Sequence, residues 1–245
     1  MPLQIGIFGR GRLGSAIAAA ADQTNDLEVA WLVGHEATEH LSPVDVALDV
    51  SHADGVDDHL TWARATGTDL VIGATGWDPA LLATSSRCQE VGTDAQHPAI
   101  GILTAPNFSL TVALLRRLTL TLGRYAAASP EHLDVAVSEV HHTRKVDAPS
   151  GTAVLLRDAL AEATARPAHG IQTTSLRLGE VVGRHDVHLT GAHESITLTH
   201  EAHTRDVFAL GALTAARWIH GRRGTFTFDD LADDVIDPLF SSTTT

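Results

Sequence analysis

The stretch Ile5–Ala21, "IGIFGRGRLGSAIAAAA", decides how the first part of the chain is read. An apolar strand runs into Gly9-x-Gly11-x-x-Gly14, and an alanine-rich helical pattern comes at once after it. Each glycine has its own task in such a turn. Gly9 permits the tight bend, Gly11 lets the backbone approach a pyrophosphate, and Gly14 lets helix and strand pack closely. The new helix then offers its N-terminal N–H groups to the anion. Three glycines at this spacing also occur in purely structural turns. The strand before them, the helix after them and a second strand, "LEVAWLV", favour a dinucleotide site formed by Gly9, Arg10, Gly11, Arg12, Leu13 and Gly14.

Working outward, the first hundred residues alternate two kinds of pattern. "LQIGIF", "LEVAWLV", "VDVALDV", "DLVIGAT" and "AIGIL" read as buried strands. "LGSAIAAAADQ", "ADGVDDHLTWARATG" and "DPALLATSSRCQEVG" between them read as helices. Such alternation predicts a parallel sheet covered on both faces. After Asn107 the order changes to a long helix, "LTVALLRRLTLTLGRY", an alternating strand, "HLDVAVSEVHH", and a helix, "SGTAVLLRDALAEATA". Three strand-like segments come next, "TSLRLGEVV", "HDVHLTG" and "ESITLTHEAH", then a helix, "RDVFALGALTAARWIHG". The fold class expected is therefore α/β, a Rossmann-type domain over residues 1–108 and 206–245, with a second α+β domain on a mixed or antiparallel sheet over 109–205. "TFTFDDLADDVI" is expected to close the chain against the first domain.

Composition excludes several classes. A formal charge of −13 opposes a nucleic-acid partner, whose phosphates require a positive footprint. No apolar run has the length of a membrane span, and the N-terminus carries no charged-then-apolar leader, so a cytoplasmic protein is expected. The single cysteine, Cys88, has no partner for an internal disulfide, and no metal centre is expected. The ribose end of the cofactor site is less decisive. An acidic residue closing the second strand would bond the ribose 2′-hydroxyl. Here that strand ends in Val33-Gly34-His35 and Glu36 comes slightly late, while Arg10 and Arg12 could pair with a 2′-phosphate, so NADH and NADPH both stay open.

The second informative stretch is Glu139–Ala153, "EVHHTRKVDAPSGTA". Lys145 is the only lysine in a chain with 16 arginines. Arginine stays protonated at any accessible pH, whereas a lysine amine can give up its proton, so a lone lysine beside two histidines suggests a general acid. Adjacent histidines on a strand point to opposite faces, which argues against their sharing a metal. Pro149 ends the loop, Ser150 is a good N-cap, and Gly151 leaves space beside the helix N-terminus. Imidazole, ammonium and helix end together suit a small anion that must also receive a proton.

At these residues the chain resembles the 4-hydroxy-tetrahydrodipicolinate reductase (dihydrodipicolinate reductase) family. "EVHHTRKVDAPSGTA" is similar to its signature segment, "VIGATGW" to its cofactor loop, "TAPNFSL" to its Ala-x-Asn-Phe loop, and "ESITLTHEAHTRDVFALGALTAARW" to its closing strand and helix. The resemblance covers nearly the whole chain. It implies His141 as the principal acid/base residue, Lys145 as proton donor, His142 as a substrate contact, and Gly151 and Thr152 as carboxylate holders. It further implies that Gly73, Ala74, Thr75, Ala105, Pro106, Asn107 and Phe108 border the nicotinamide. The implied reaction is reduction of a cyclic dicarboxylate by NADH or NADPH with loss of water, in lysine and diaminopimelate biosynthesis, by a homotetramer built through the second domain. A paralogue acting on a different cyclic or linear imine would carry the same residues, and a non-catalytic dinucleotide sensor would carry only the fold.

Overall fold

The computed structural model describes residues 1–34, 38–83 and 100–240. The chain forms two compact units, Met1–Ser109 with Asp206–Thr245, and Leu110–Arg205. The first unit is Rossmann-like. Its strands are β1 (Leu3–Phe8), β2 (Leu27–Val33), β3 (Val46–Asp49), β4 (Asp69–Ile72), β5 (Gly101–Thr104) and β10 (Gly224–Thr227). They form one sheet in the order β10-β5-β4-β3-β1-β2, every neighbouring pair parallel. β3 and β4 are buried at every residue, as expected of central strands covered on both faces. On one side Phe8, Ala47, Leu70, Ile72 and Ile102 pack with Val56, Leu60 and Ala63 of α2 (Val56–Thr66). The helices α1 (Arg12–Ala21) and α6 (Asp206–Ile219) pack on each other and on the sheet.

The strand order reverses between β1 and β3, and in open parallel sheets ligands bind beyond the carboxyl ends of the strands at such a reversal. The glycine turn leaves β1 at this point. Gly9 has φ +112°, a conformation side chains rarely adopt, and a Cβ there would lie 2.7 Å from the Val50 carbonyl oxygen just past β3. A Cβ on Gly14 would lie 1.8 Å from the Gly9 carbonyl oxygen, so α1 can start this close to the turn only without a side chain at that position.

The second unit contains α4 (Leu110–Ala128), β6 (Asp134–His141), α5 (Gly151–Thr164), β7 (Gln172–Arg177), β8 (Gly183–Thr190) and β9 (Ser195–Ala202). Its sheet runs β7-β6-β8-β9 and is mixed: β6 pairs parallel with β7 and antiparallel with β8, which pairs antiparallel with β9. The strand period of two sends Val135, Val137, Glu139 and His141 of β6 to one face, and all four are buried. Val135 and Val137 join Leu122, Leu156, Leu160, Val187 and Leu189 in an apolar core with α4 and α5. Further along the same strand this face turns polar.

Two sequence expectations change. "TFTFDDLADDVI" divides into a sixth strand, β10, and α7 (Phe228–Ile236), with Thr227 and Asp230 closing a capping box between them. "TSLRLGEVV" is a strand only as far as Arg177, because residues 178–182 turn back towards β8. The helix expected from Asp78 shows helical structure at α3 (Ala80–Ala83), and its remainder, with His35, Glu36, Cys88 and the last five residues, lies outside the described residues.

Candidate active site

The cofactor end is built from the carboxyl edge of the first sheet. Helix α1 has no side chain capping its N-terminus and no acidic residue in its first turn, so its dipole faces outward unopposed. A Cβ on Gly11 would meet nothing within 4 Å, which leaves the backbone open to close approach. Arg10 is exposed, and its Nε donates to the Leu32 carbonyl 3.0 Å away, which fixes it beside the end of β2. Arg12 is exposed and Leu13 half-buried. Past β4 and β5, a cavity of about 290 Å³ is lined by Ala74, Thr75, Trp77, Thr104, Ala105 and Pro106 among others. The Trp77 indole donates to the Ala74 carbonyl, 3.0 Å away, and braces this loop. Asn107 Oδ1 accepts from the Ser109 amide at 2.9 Å and turns the chain just ahead of Leu110. Phe108 is 3% exposed, its ring against Gly73 and edge-on to Phe228, so it packs behind the loop and offers no open face. An anion-accepting turn with a mostly apolar cavity further along the same sheet edge fits a dinucleotide with an aromatic ring.

The segment Glu139–Ala153 is organised around Glu139. This carboxylate is 1% exposed. Its Oε1 accepts the Ser150 amide at 3.0 Å and Arg177 Nη2 at 3.1 Å, and its Oε2 lies 2.8 Å from His141 Nδ1. That last pair is close but not aligned as a formed hydrogen bond, and neither atom has a hydrogen-bond partner elsewhere among the described residues. Arg177 reaches further: Nε donates to the Lys145 carbonyl at 3.3 Å and Nη2 to the Asp147 carbonyl. Lys145 sits in the turn after β6, its side chain 24% exposed, with Nζ 2.8 Å from Asp147 Oδ1. Ser150 caps α5 through its hydroxyl, which accepts the Ala153 amide at 3.2 Å and meets His185 Nε2 at 3.2 Å. The positive end of α5 is thereby set beside the same cluster. A Cβ on Gly151 would meet open space, and Thr152 comes next in the first helical turn.

The electrostatics arise from burial and pairing. Burial alone would raise the Glu139 carboxyl, but hydrogen bonds from Ser150, Ser175 and Arg177 outweigh it and hold the group at about 2. Burial pushes His141 down. Glu139 opposes that shift, and the positive charges of Lys145 and Arg177 add to it. Burial, with His141 as neighbour, lowers His185 to about 4. Asp147 is lowered chiefly by its bond from Lys145. Glu139, His141 and His185 place one ligand-type atom each within 4.8 Å of one another. A guanidinium already neutralises the carboxylate, so the arrangement suits an oriented imidazole better than a bound cation.

The structure thus brings His141, Lys145 and the Gly151–Thr152 helix start to one cluster. His142 is half-buried, just past the end of β6. Sequence reasoning missed Glu139, Asp147, Ser175, Arg177 and His185. Glu139 had a usable signal: it is two residues before His141 on a strand and so shares its face.

Comparison with known proteins gives matches along nearly the whole chain. The family model described as "Dihydrodipicolinate reductase, N-terminus" matches residues 3–108, and its C-terminal counterpart matches 112–232. The 4-hydroxy-tetrahydrodipicolinate reductase of Myxococcus xanthus is 38% identical, over 86% of this chain and 90% of that protein. The enzyme of the same description from Gluconobacter oxydans is 41% identical over 76% of each chain. Among solved structures, dipicolinate-bound dihydrodipicolinate reductase from Paenisporosarcina sp. TG-14 is similar in fold, with TM-score 0.75, 23% identity, and coverage of 94% of this chain and all of that one.

The depressed histidines make stability depend on pH. In the folded chain His185 stays neutral down to about 4, whereas unfolded it takes up a proton near 6.5. Stability is therefore full above about pH 6.5 and falls as pH drops towards 4, by on the order of 3 kcal/mol for this residue. Glu139 adds its own loss only below about 4.5, the value it leaves on folding. Urea midpoints measured from pH 7.5 to 4 should fall mainly between 6.5 and 4.5, and His185→Gln should flatten that slope.

Proposed function

The chain belongs to the dihydrodipicolinate reductase family, and from that premise we infer its chemistry: it reduces 4-hydroxy-tetrahydrodipicolinate to tetrahydrodipicolinate, with loss of water, in lysine and diaminopimelate biosynthesis. The observation that carries the mechanism is that His141 and the α5 N-terminus meet one buried carboxylate, Glu139, to which Arg177 also ties the backbone of Lys145. When bound, a reduced nicotinamide supplies the hydride. The chain's own residues do the rest. The α5 N-terminus, with Gly151 and Thr152, holds a substrate carboxylate through helix-end N–H groups. Lys145 is the proton donor, its amine kept in place by Asp147. His141 serves as acid/base group beside it, covered on most sides so that bulk water does not compete. His142 contacts substrate. On the cofactor side, the turn Gly9–Gly14 holds the pyrophosphate, and Gly73–Thr75 with Ala105–Phe108 shape the nicotinamide end.

Cofactor choice turns on the ribose. Arg10, fixed beside the end of β2, supports acceptance of a 2′-phosphate, so NADPH is used at least as well as NADH. Purified protein supplied with dihydrodipicolinate synthase product should oxidise both cofactors, followed by loss of nicotinamide absorbance. Oxidation of neither would overturn the reading. Cytoplasmic location accords with this chemistry and with a lone cysteine, and no helix among the described residues is long and apolar enough to cross a membrane.

The proton-donor role separates charge from transferability. Lys145→Arg keeps the cation and its pairing with Asp147, yet arginine does not release a proton. Turnover should fall roughly 10²–10⁴-fold with cofactor affinity unchanged, and steady-state kinetics with fluorescence titration will show whether it does.

A homotetramer is assembled through the second unit. Its sheet presents a polar face across β6, β8 and β9, where Ser138 bonds His188, His188 bonds Thr197 and Thr199 bonds Asp186, with exposed Leu176 at the β7 edge. Light scattering on the purified protein should give about four times the chain mass of 25.9 kDa.

A further inference from the structure

The mechanism leaves two charged side chains behind the reacting groups. Resting on the functional reading above, we propose that Glu139 and Arg177 act as a positioning pair, the carboxylate aiming the His141 imidazole and the guanidinium setting the loop that carries Lys145.

Three geometric facts carry this. First, Glu139 Oε2 and His141 Nδ1 lie 2.8 Å apart, and neither has a hydrogen-bond partner elsewhere among the described residues, so each is the group best placed to satisfy the other. A carboxylate at Nδ1 favours the proton on that nitrogen and leaves Nε2 for chemistry. Second, a Cβ on Gly183 would lie 2.9 Å from His141 Nε2, so the ring is confined on that side by backbone with no side chain over it. Third, Arg177 joins the other carboxylate oxygen to the carbonyls of Lys145 and Asp147 at once. The guanidinium donates to these three acceptors from two separate nitrogens, Nε and Nη2, held in one rigid plane, a spread that the single nitrogen of an ammonium does not reproduce. The loop is tied again where the Thr143 amide donates to Gly179 and the Leu178 amide to His141, which fixes its root while Arg177 fixes its tip.

The charged groups acting on His141 are Glu139 from its own strand, Arg177 from β7, and Lys145 and Asp147 from the loop, with His185 stacked edge-on from β8 at 5.0 Å. Removing the negative charge and removing the positive one must therefore shift its titration in opposite directions.

Histidine NMR on the full chain without substrate reads that titration directly. In Glu139→Gln the His141 midpoint should move to lower pH, and in Arg177→Met to higher pH. Arg177→Lys keeps the charge and should leave the midpoint in place, yet kcat should fall at least about tenfold with unchanged cofactor affinity, because the loop loses its fork. Opposite shifts show both charges acting on the imidazole, and the loss of kcat in a folded Arg177→Lys separates positioning from charge alone. Midpoints unmoved in both charge-removing variants, or wild-type kcat in Arg177→Lys, would overturn the proposal. If Glu139→Gln fails to fold by circular dichroism, the Arg177→Met shift decides alone. Failure of the functional reading is distinguishable, since wild-type protein would then turn nothing over while the midpoints still moved.

Discussion

A carboxylate with about one hundredth of its surface exposed stays ionised only if the protein replaces the water it has lost. Glu139 meets that condition, and meeting it builds the active segment. The partners it gathers are the amide that begins α5, the arginine that reaches the lysine loop, and the imidazole two residues ahead on its own strand. None of these groups has a fixed position by local propensity alone. A helix cap, a turn and a strand end share one reference point, so their relative geometry is set by the pairing requirement of a single buried charge.

The other half of the chemistry depends on a different constraint. A parallel sheet whose strand order reverses leaves room past its carboxyl edge, and everything assigned to the dinucleotide lies along that edge. Gly9 and Val50 close together at the reversal, and the loops after β4 and β5 shape the cavity further on. The side chains buried there, Ala74, Ala105 and Phe108, pack these loops into shape.

The fold was largely legible in the sequence where each residue has a local task. The three glycines could be read because turn, approach and close packing are each decided within a few residues. The alternation of "HLDVAVSEVHH" gave β6 and its buried face for the same reason. What was missed depends on register. Arg177 and His185 reach Glu139 only because β7 and β8 flank β6 in one particular alignment, and strand pairing across dozens of residues leaves no trace in spacing. β10 escaped because it is four residues long and passes into a helix through a cap, with no glycine or proline to mark the joint. Glu139 was overlooked although it opens the very segment that drew attention, because a glutamate on a strand is ordinarily taken for a solvent-facing residue.

The order in which the elements come along the chain has a consequence for how the protein is made. All four strands of the second unit have left the ribosome once residue 202 has emerged from it, whereas the first unit still lacks α6 and β10. Until residue 227 emerges, the edge of β5 has no strand to pair with, and the sheet face that α6 covers remains bare. The nascent polypeptide therefore carries a finished insert inside an unfinished host, and the unit that begins first is the one completed last.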